Sequence, residues 1–225
     1  MALSFSLNLP TCWAELGDDD LRCLQRMTAA GTDIRTIRTH LVLARIPKRL
    51  HRRMDPLQLG VAVQTLAFLD NPPDYPVRPE KMRRKRALPA EFHGVTFSDY
   101  LTVENYYQGF LRGQRIDTAA ELLACLYPGY RQRKPEPAEI LAAVHWMVGL
   151  KALFARTFRV LFGPADDTGE PDMRQAMDAQ IRALTGGDVT KEREVLDTDT
   201  WRALTELDAI AREARRIKEL RERKK

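Results

Sequence analysis

Side chains able to do chemistry are spread thinly along this chain. Four histidines, His40, His51, His93 and His145, fall on separate predicted elements, and none has a second His or Cys three or four residues away. A zinc site read from local sequence needs such a pair. Cys12, Cys23 and Cys125 are scattered and odd in number. They form neither a disulfide framework nor a C-x-x-C knuckle, and they read as small apolar side chains in a reducing compartment. Asp18-Asp19-Asp20 has the composition of a carboxylate metal cluster, but three neighbours at a helix start point in different directions. Capping and the positive end of a helix account for them, with Asp18 as the N-cap. His145, beside Trp146, reads as a core histidine with satisfied ring nitrogens. Neither G-x-x-x-x-G-K-[ST], G-x-G-x-x-G nor G-x-S-x-G occurs, so phosphate cradles and nucleophile elbows have no sequence support. The expectation is a non-enzymatic protein with no catalytic residue, no cofactor and no metal.

Charge and apolar patterning carry more information. Lys48, Arg49, Arg52 and Arg53 make one basic cluster, and Arg78 to Arg86 makes another. Phosphate binding needs several cations on one accessible surface. The second cluster contains no stacking aromatic, and no recognition motif accompanies either. A solvated, mobile loop is the simpler reading; under the sharper one, Arg83, Arg84, Lys85 and Arg86 contact nucleic acid. At the other end of the chain, Trp201, Leu204, Leu207, Ile210, Ala214, Ile217 and Leu220 keep helical spacing up to a basic tail. That helix either docks on its own bundle through Trp201 and Leu204, or presents its distal half to a partner through Ile210, Ile217 and Leu220.

The elements that position these groups are mostly helical. Apolar stripes at helical spacing predict helices starting near Asp18, Thr32, Asp55, Ser98, Asp117, Pro137, Asp172 and Asp199. The run from Pro137 to about Phe162 is apolar on two sides and belongs in the middle of a bundle. Its most apolar part, Ile140 to Leu150, is too short for a membrane span of about 20 residues. Leu3, Phe5, Leu7 and Leu9 alternate with polar residues and predict a short strand, with Phe92 to Phe97 as its partner. Prolines 72, 73, 76, 79 and 89 exclude helix or central strand between them. The polar stretch 163–171 is the best boundary, giving a core domain over 1–163 and a docked C-terminal segment over 164–225. With 36 basic and 31 acidic residues, 44% hydrophobic and 30% charged, the composition is that of a globular protein. A net charge of +5 is weak for a chain-wide nucleic-acid footprint. The fold class expected is mainly α, a helical bundle with a small N-terminal β element of two or three short strands.

Three segments resemble a group of uncharacterised proteins encoded in prophages of Bacteroidota-type phages. They are Leu9-Pro10-Thr11-Cys12-Trp13-Ala14-Glu15-Leu16; Arg86 to Val95 with Asp99-Tyr100-Leu101 after it; and Ala183 to Glu192 running into Asp199 to Leu207. The resemblance implies a phage structural gene cluster and a tail-assembly chaperone that binds a long helical tape-measure protein in the host cytoplasm. It carries no functional residues across. The alternatives are a minor virion structural protein, such as a connector or tail subunit, and a nucleic-acid-binding accessory factor using 78–86. No membrane partner is expected, and the oligomeric state stays open.

Overall fold

The computed structural model describes residues 7–163 and 173–223, and these form a mainly α structure. The helices are α1 (Asp18–Ala29), α2 (Ile34–Ala44), α3 (Pro56–Thr65), α4 (Phe97–Gly113), α5 (Ile116–Leu126), α6 (Pro137–Thr157), α7 (Met173–Thr185), α8 (Glu192–Leu196) and α9 (Thr200–Glu222). The β element is an antiparallel hairpin, β1 (Lys81–Met82) and β2 (Lys85–Arg86), with Lys81 opposite Arg86 and Met82 opposite Lys85. The expected boundary at 163–171 and the helix start at Asp172 fall almost wholly outside the described residues.

The hairpin therefore lies inside the basic segment. Most of the alternating run Leu3 to Leu9 is outside the described residues. Leu7 and Leu9 form no strand and pack on apolar side chains instead. Phe92 to Phe97 is not a partner strand either. Its backbone reverses twice, with Phe92 N–H donating to Pro89 O and Val95 N–H to Phe92 O, and both Phe92 and Gly94 have positive φ. What extended backbone remains forms a single bridge between Thr96 and Asp199, at the start of α9.

Helix starts follow capping chemistry, displaced slightly from the sequence expectation. Asp33, not Thr32, caps α2 by accepting from Thr36 N–H at 2.9 Å. Thr96, not Ser98, caps α4 through Asp99 N–H at 3.1 Å. Gly17 precedes α1, and the Asp20 carboxylate accepts from its N–H at 3.1 Å. Asp18 is thereby free to accept from Glu80 N–H at 2.7 Å and to pair with Arg22. Asp55 and Pro56 open α3 as expected, Asp55 accepting from Leu57 N–H at 3.0 Å.

The apolar residues segregate into two cores. Trp13, Leu21, Leu24, Ile37, Leu41, Val42, Leu66 and Val77 form the N-terminal one, under α1, α2 and the turn after α3. The larger core joins α4, α5, α6 and the first turns of α9, with Phe92, Phe97, Tyr127, Trp146, Phe154 and Leu204 at its centre. The two meet where α1 lies along α6. There Trp13 stands edge-on to His145, centroids 5.6 Å apart. By length and composition alone α6 is long and apolar enough to cross a membrane. Its Trp146, Met147, Leu150 and Phe154 are core residues of this bundle.

As the prolines require, residues 71–80 form neither helix nor strand. Pro73, Pro76, Val77 and Pro79 are buried, and the segment runs as a strap across α6. Gly149 on α6 makes this possible: a Cβ there would stand 2.0 Å from Tyr75 O. Further along the strap, Pro79 O accepts from Tyr127 Oη at 3.1 Å. Arg78 lies over the Trp146 ring at 5.2 Å, and burial lowers the pKa of its guanidinium.

Candidate functional site

α9 is fixed firmly at its root. Asp199 accepts from Trp201 N–H at 2.9 Å and from Gly94 N–H at 2.7 Å. Thr200 Oγ1 donates to Val95 O at 2.8 Å, and Trp201 Nε1 to Glu91 O at 2.6 Å. Trp201 also stacks on His93 at 4.5 Å. Ala203, Leu204 and Leu207 then enter the larger core. The last anchor is Asp208, 1% exposed, which accepts from Val160 N–H at 3.0 Å and Leu161 N–H at 2.9 Å and pairs with Arg212. Burial would raise the pKa of its carboxyl, but these donors together outweigh it and hold the value below the ordinary one. The i,i+4 pair with Arg212 was legible in the sequence; the closure of the turn after α6 was not.

Beyond Asp208 the helix runs out of the bundle. Every residue from 209 to 223 is exposed except half-buried Ala211. The candidate partner-binding residues lie here, Ile210 at 38%, Ile217 at 42% and Leu220 at 49% exposure. They continue the stripe that Ala203, Leu204 and Leu207 bury.

The candidate nucleic-acid residues are all brought to the hairpin, though they do different things. Arg83 and Arg84 are its two turn residues, with φ of 44° and 66°, as a two-residue I′ turn demands. The Arg83 guanidinium is committed at 2.6 Å to both Glu139 and Glu136 at the start of α6, and Glu139 foremost raises its pKa. Glu139 also accepts from Tyr130 Oη at 3.0 Å and from Glu136 N–H at 2.8 Å, closing the capping box of α6. Arg84, Lys85 and Arg86 remain exposed. Beside them is an open groove of about 410 Å³ lined by Arg83, Lys85, Gly129, Tyr130, Arg131 and Gln132. Arg22, Arg26, Gln25, Met82 and Arg83 also line a hollow of about 290 Å³. The Nε2 of Gln25 is buried without a partner.

Among the described residues no three His, Cys, Asp or Glu side chains converge as metal ligands. Asp18, Asp19 and Asp20 serve α1, its neighbours and Arg45. His51 is a structural link whose Nε2 lies 2.9 Å from Ile46 O and 3.1 Å from Leu43 O. His145 is a core histidine, but not a satisfied one, since its Nδ1 is buried without a partner. The cysteines are free thiols. The buried Glu104 carboxylate accepts from half-buried Gln108 and pairs with Lys151, linking α4 to α6.

One exposed surface was missed in the sequence. α3 has no buried residue, and its Leu57 and Val61 are 79% and 72% exposed. In the sequence, Leu57 and Val61 are apolar residues in excess of Leu59, Val63, Leu66 and Leu69, which keep helical spacing. That surplus, next to a basic run, was the available signal.

No protein-family model, curated protein or solved structure matches the chain.

Proposed function

We propose that the protein is a non-enzymatic phage morphogenesis protein, a tail-assembly chaperone that holds a long helical, tape-measure-like client through the distal half of α9. The observation that carries this reading is the continuation of one apolar stripe out of the core. Ile210, Ile217 and Leu220 extend the buried face of α9 into solvent on a helix whose root is rigid. An amphipathic helix so presented can cover the apolar face of another helix at i, i+3, i+4 and i+7 spacing, and an exposed client face of that kind would otherwise aggregate. The resemblance of the three segments to prophage proteins supplies the setting.

The test is a pull-down of the tagged protein from host cells producing phage, with mass spectrometry of the co-purifying proteins. Recovery of one long, helix-rich phage protein is expected, and Ile217→Glu with Leu220→Glu should abolish it while the far-ultraviolet circular dichroism stays unchanged. Recovery of mature tail or capsid subunits instead, with the protein itself remaining in purified particles at a fixed copy number, would replace this reading with that of a minor virion structural protein.

A second reading has its own observation, the groove at the exposed side of the hairpin with Lys85 and Arg131 at its rim. A nucleic-acid accessory role predicts that replacing Arg84, Lys85 and Arg86 with Ala abolishes DNA or RNA binding, and that wild-type binding weakens steeply with salt. Binding unchanged by these substitutions removes it.

A further inference from the structure

α3 is unusual among the helices of this protein. Its sequence, Pro-Leu-Gln-Leu-Gly-Val-Ala-Val-Gln-Thr, contains no charged residue. Leu59, Ala62 and Val63 rest on the N-terminal core and are only partly buried. Leu57 and Val61 stand one turn apart on the outer face, among the most exposed large apolar side chains described. Gly60 lies beside them, exposed, with nothing within 4 Å of the space a Cβ would fill. Leu57 and Val61, at i and i+4, form one apolar ridge beside a bare stretch of backbone, a surface on which a second helix can pack closely, since small residues let helix axes approach.

The segment leading into α3 supplies the charge. Lys48–Arg53 is a 3-10 helix held in place by His51 on the carbonyls of Leu43 and Ile46, with Leu50 turned to the core. Lys48, Arg49, Arg52 and Arg53 are all exposed. Among the described residues none of the four pairs with a carboxylate. Arg53 is four residues before Leu57, so the two lie within about 15 Å of each other, and the cationic run leads directly into the helix that carries the apolar pair.

We infer that α3 and Lys48–Arg53 together form a docking site for an acidic amphipathic helix of a partner protein. Charge complementarity selects the occupant: apolar side chains on one face would fill the Leu57–Gly60–Val61 surface, and flanking Asp or Glu would meet the four free cations. A second copy of this chain fits poorly, because its own overhanging helix is Arg-rich. A lipid surface fits poorly as well. Interfacial helices carry aromatic anchors and place their cations on their own polar face, and α3 has neither. The site is separate from α9 and does not depend on the client reading given to it.

The experiment uses the full chain and a fluorescein-labelled helical peptide with leucine on one face and glutamate elsewhere. Binding followed by anisotropy should be saturable and weaken with salt. It should fall at least tenfold in Leu57→Glu with Val61→Glu, and again in Arg49→Glu with Arg52→Glu and Arg53→Glu. These sites are exposed, so circular dichroism should not change. Ile217→Glu with Leu220→Glu should leave this binding intact, which separates the site from α9. The inference is overturned if the glutamate peptide does not bind or if its lysine counterpart binds equally. It is also overturned if phosphatidylserine vesicles are captured in the peptide's place, or if sedimentation shows self-association that Leu57→Glu with Val61→Glu abolishes.

Discussion

His145 sits on α6 facing Trp13, its Nδ1 enclosed and unpartnered. Burial pushes its pKa down from 6.5 to about 4. The folded protein therefore resists a proton that the unfolded chain accepts below pH 6.5, so stability is fully present above that pH and declines as pH falls toward 4. The loss is up to about 3 kcal/mol. Urea unfolding of wild type and His145→Leu between pH 7 and pH 4 should show the wild type losing more, and parallel curves would refute the assignment. Asp208 carries a different load, since it closes the turn after α6 and anchors the last buried turn of α9 at once. Asp208→Ala leaves two backbone N–H groups without their acceptor and should destabilise by about 1–3 kcal/mol in chemical denaturation. A change under half that would mean water replaces the carboxylate.

At the scale of elements, several junctions rest on backbone conformations that L residues adopt reluctantly. α4 ends on Gln114 with φ of 46°, in the left-handed region where helices most often place glycine. Gln114→Gly should raise stability by about 1 kcal/mol, seen as a higher urea midpoint at constant slope. No gain would show that the Gln114 side chain offsets the strain. The hairpin turn has the same character at Arg83 and Arg84. The Arg83 side chain tethers that turn to the start of α6, which gives an arginine a reason to stand where asparagine or glycine is usual.

For the molecule as a whole, the question is whether two apolar cores behave as one. α1 packs along α6, the 71–80 strap crosses α6 at Gly149, and Trp13 touches His145. These contacts tie the N-terminal core to the larger one without a flexible linker between them. Calorimetry should show one transition whose calorimetric and van't Hoff enthalpies agree. Two transitions, the lower shifted by Leu41→Ala and the upper by Leu204→Ala, would divide the protein into independent units.

Local signals were enough to place most helices within a turn of their true positions. Asp55-Pro56 and Asp199 mark helix starts, Gly31 and Gly186-Gly187 mark ends, and the periodic stripes of α1, α5 and α9 lie along the chain, as does the surplus of apolar residues in α6. Capping and amphipathic periodicity act between near neighbours, so one sequence displays them. Tertiary structure decided what each surface was used for. The proline-rich stretch became a buried strap because a glycine on a distant helix left room for it. Arg78 and Arg83 were taken from the basic cluster by Trp146, Glu136 and Glu139, while the cations before α3 met no carboxylate. The stripe of α9 stayed uniform in sequence, yet it is buried up to Asp208 and bare beyond it. Burial and ion pairing depend on which segments meet across the fold, and that information is not held by any short stretch of residues.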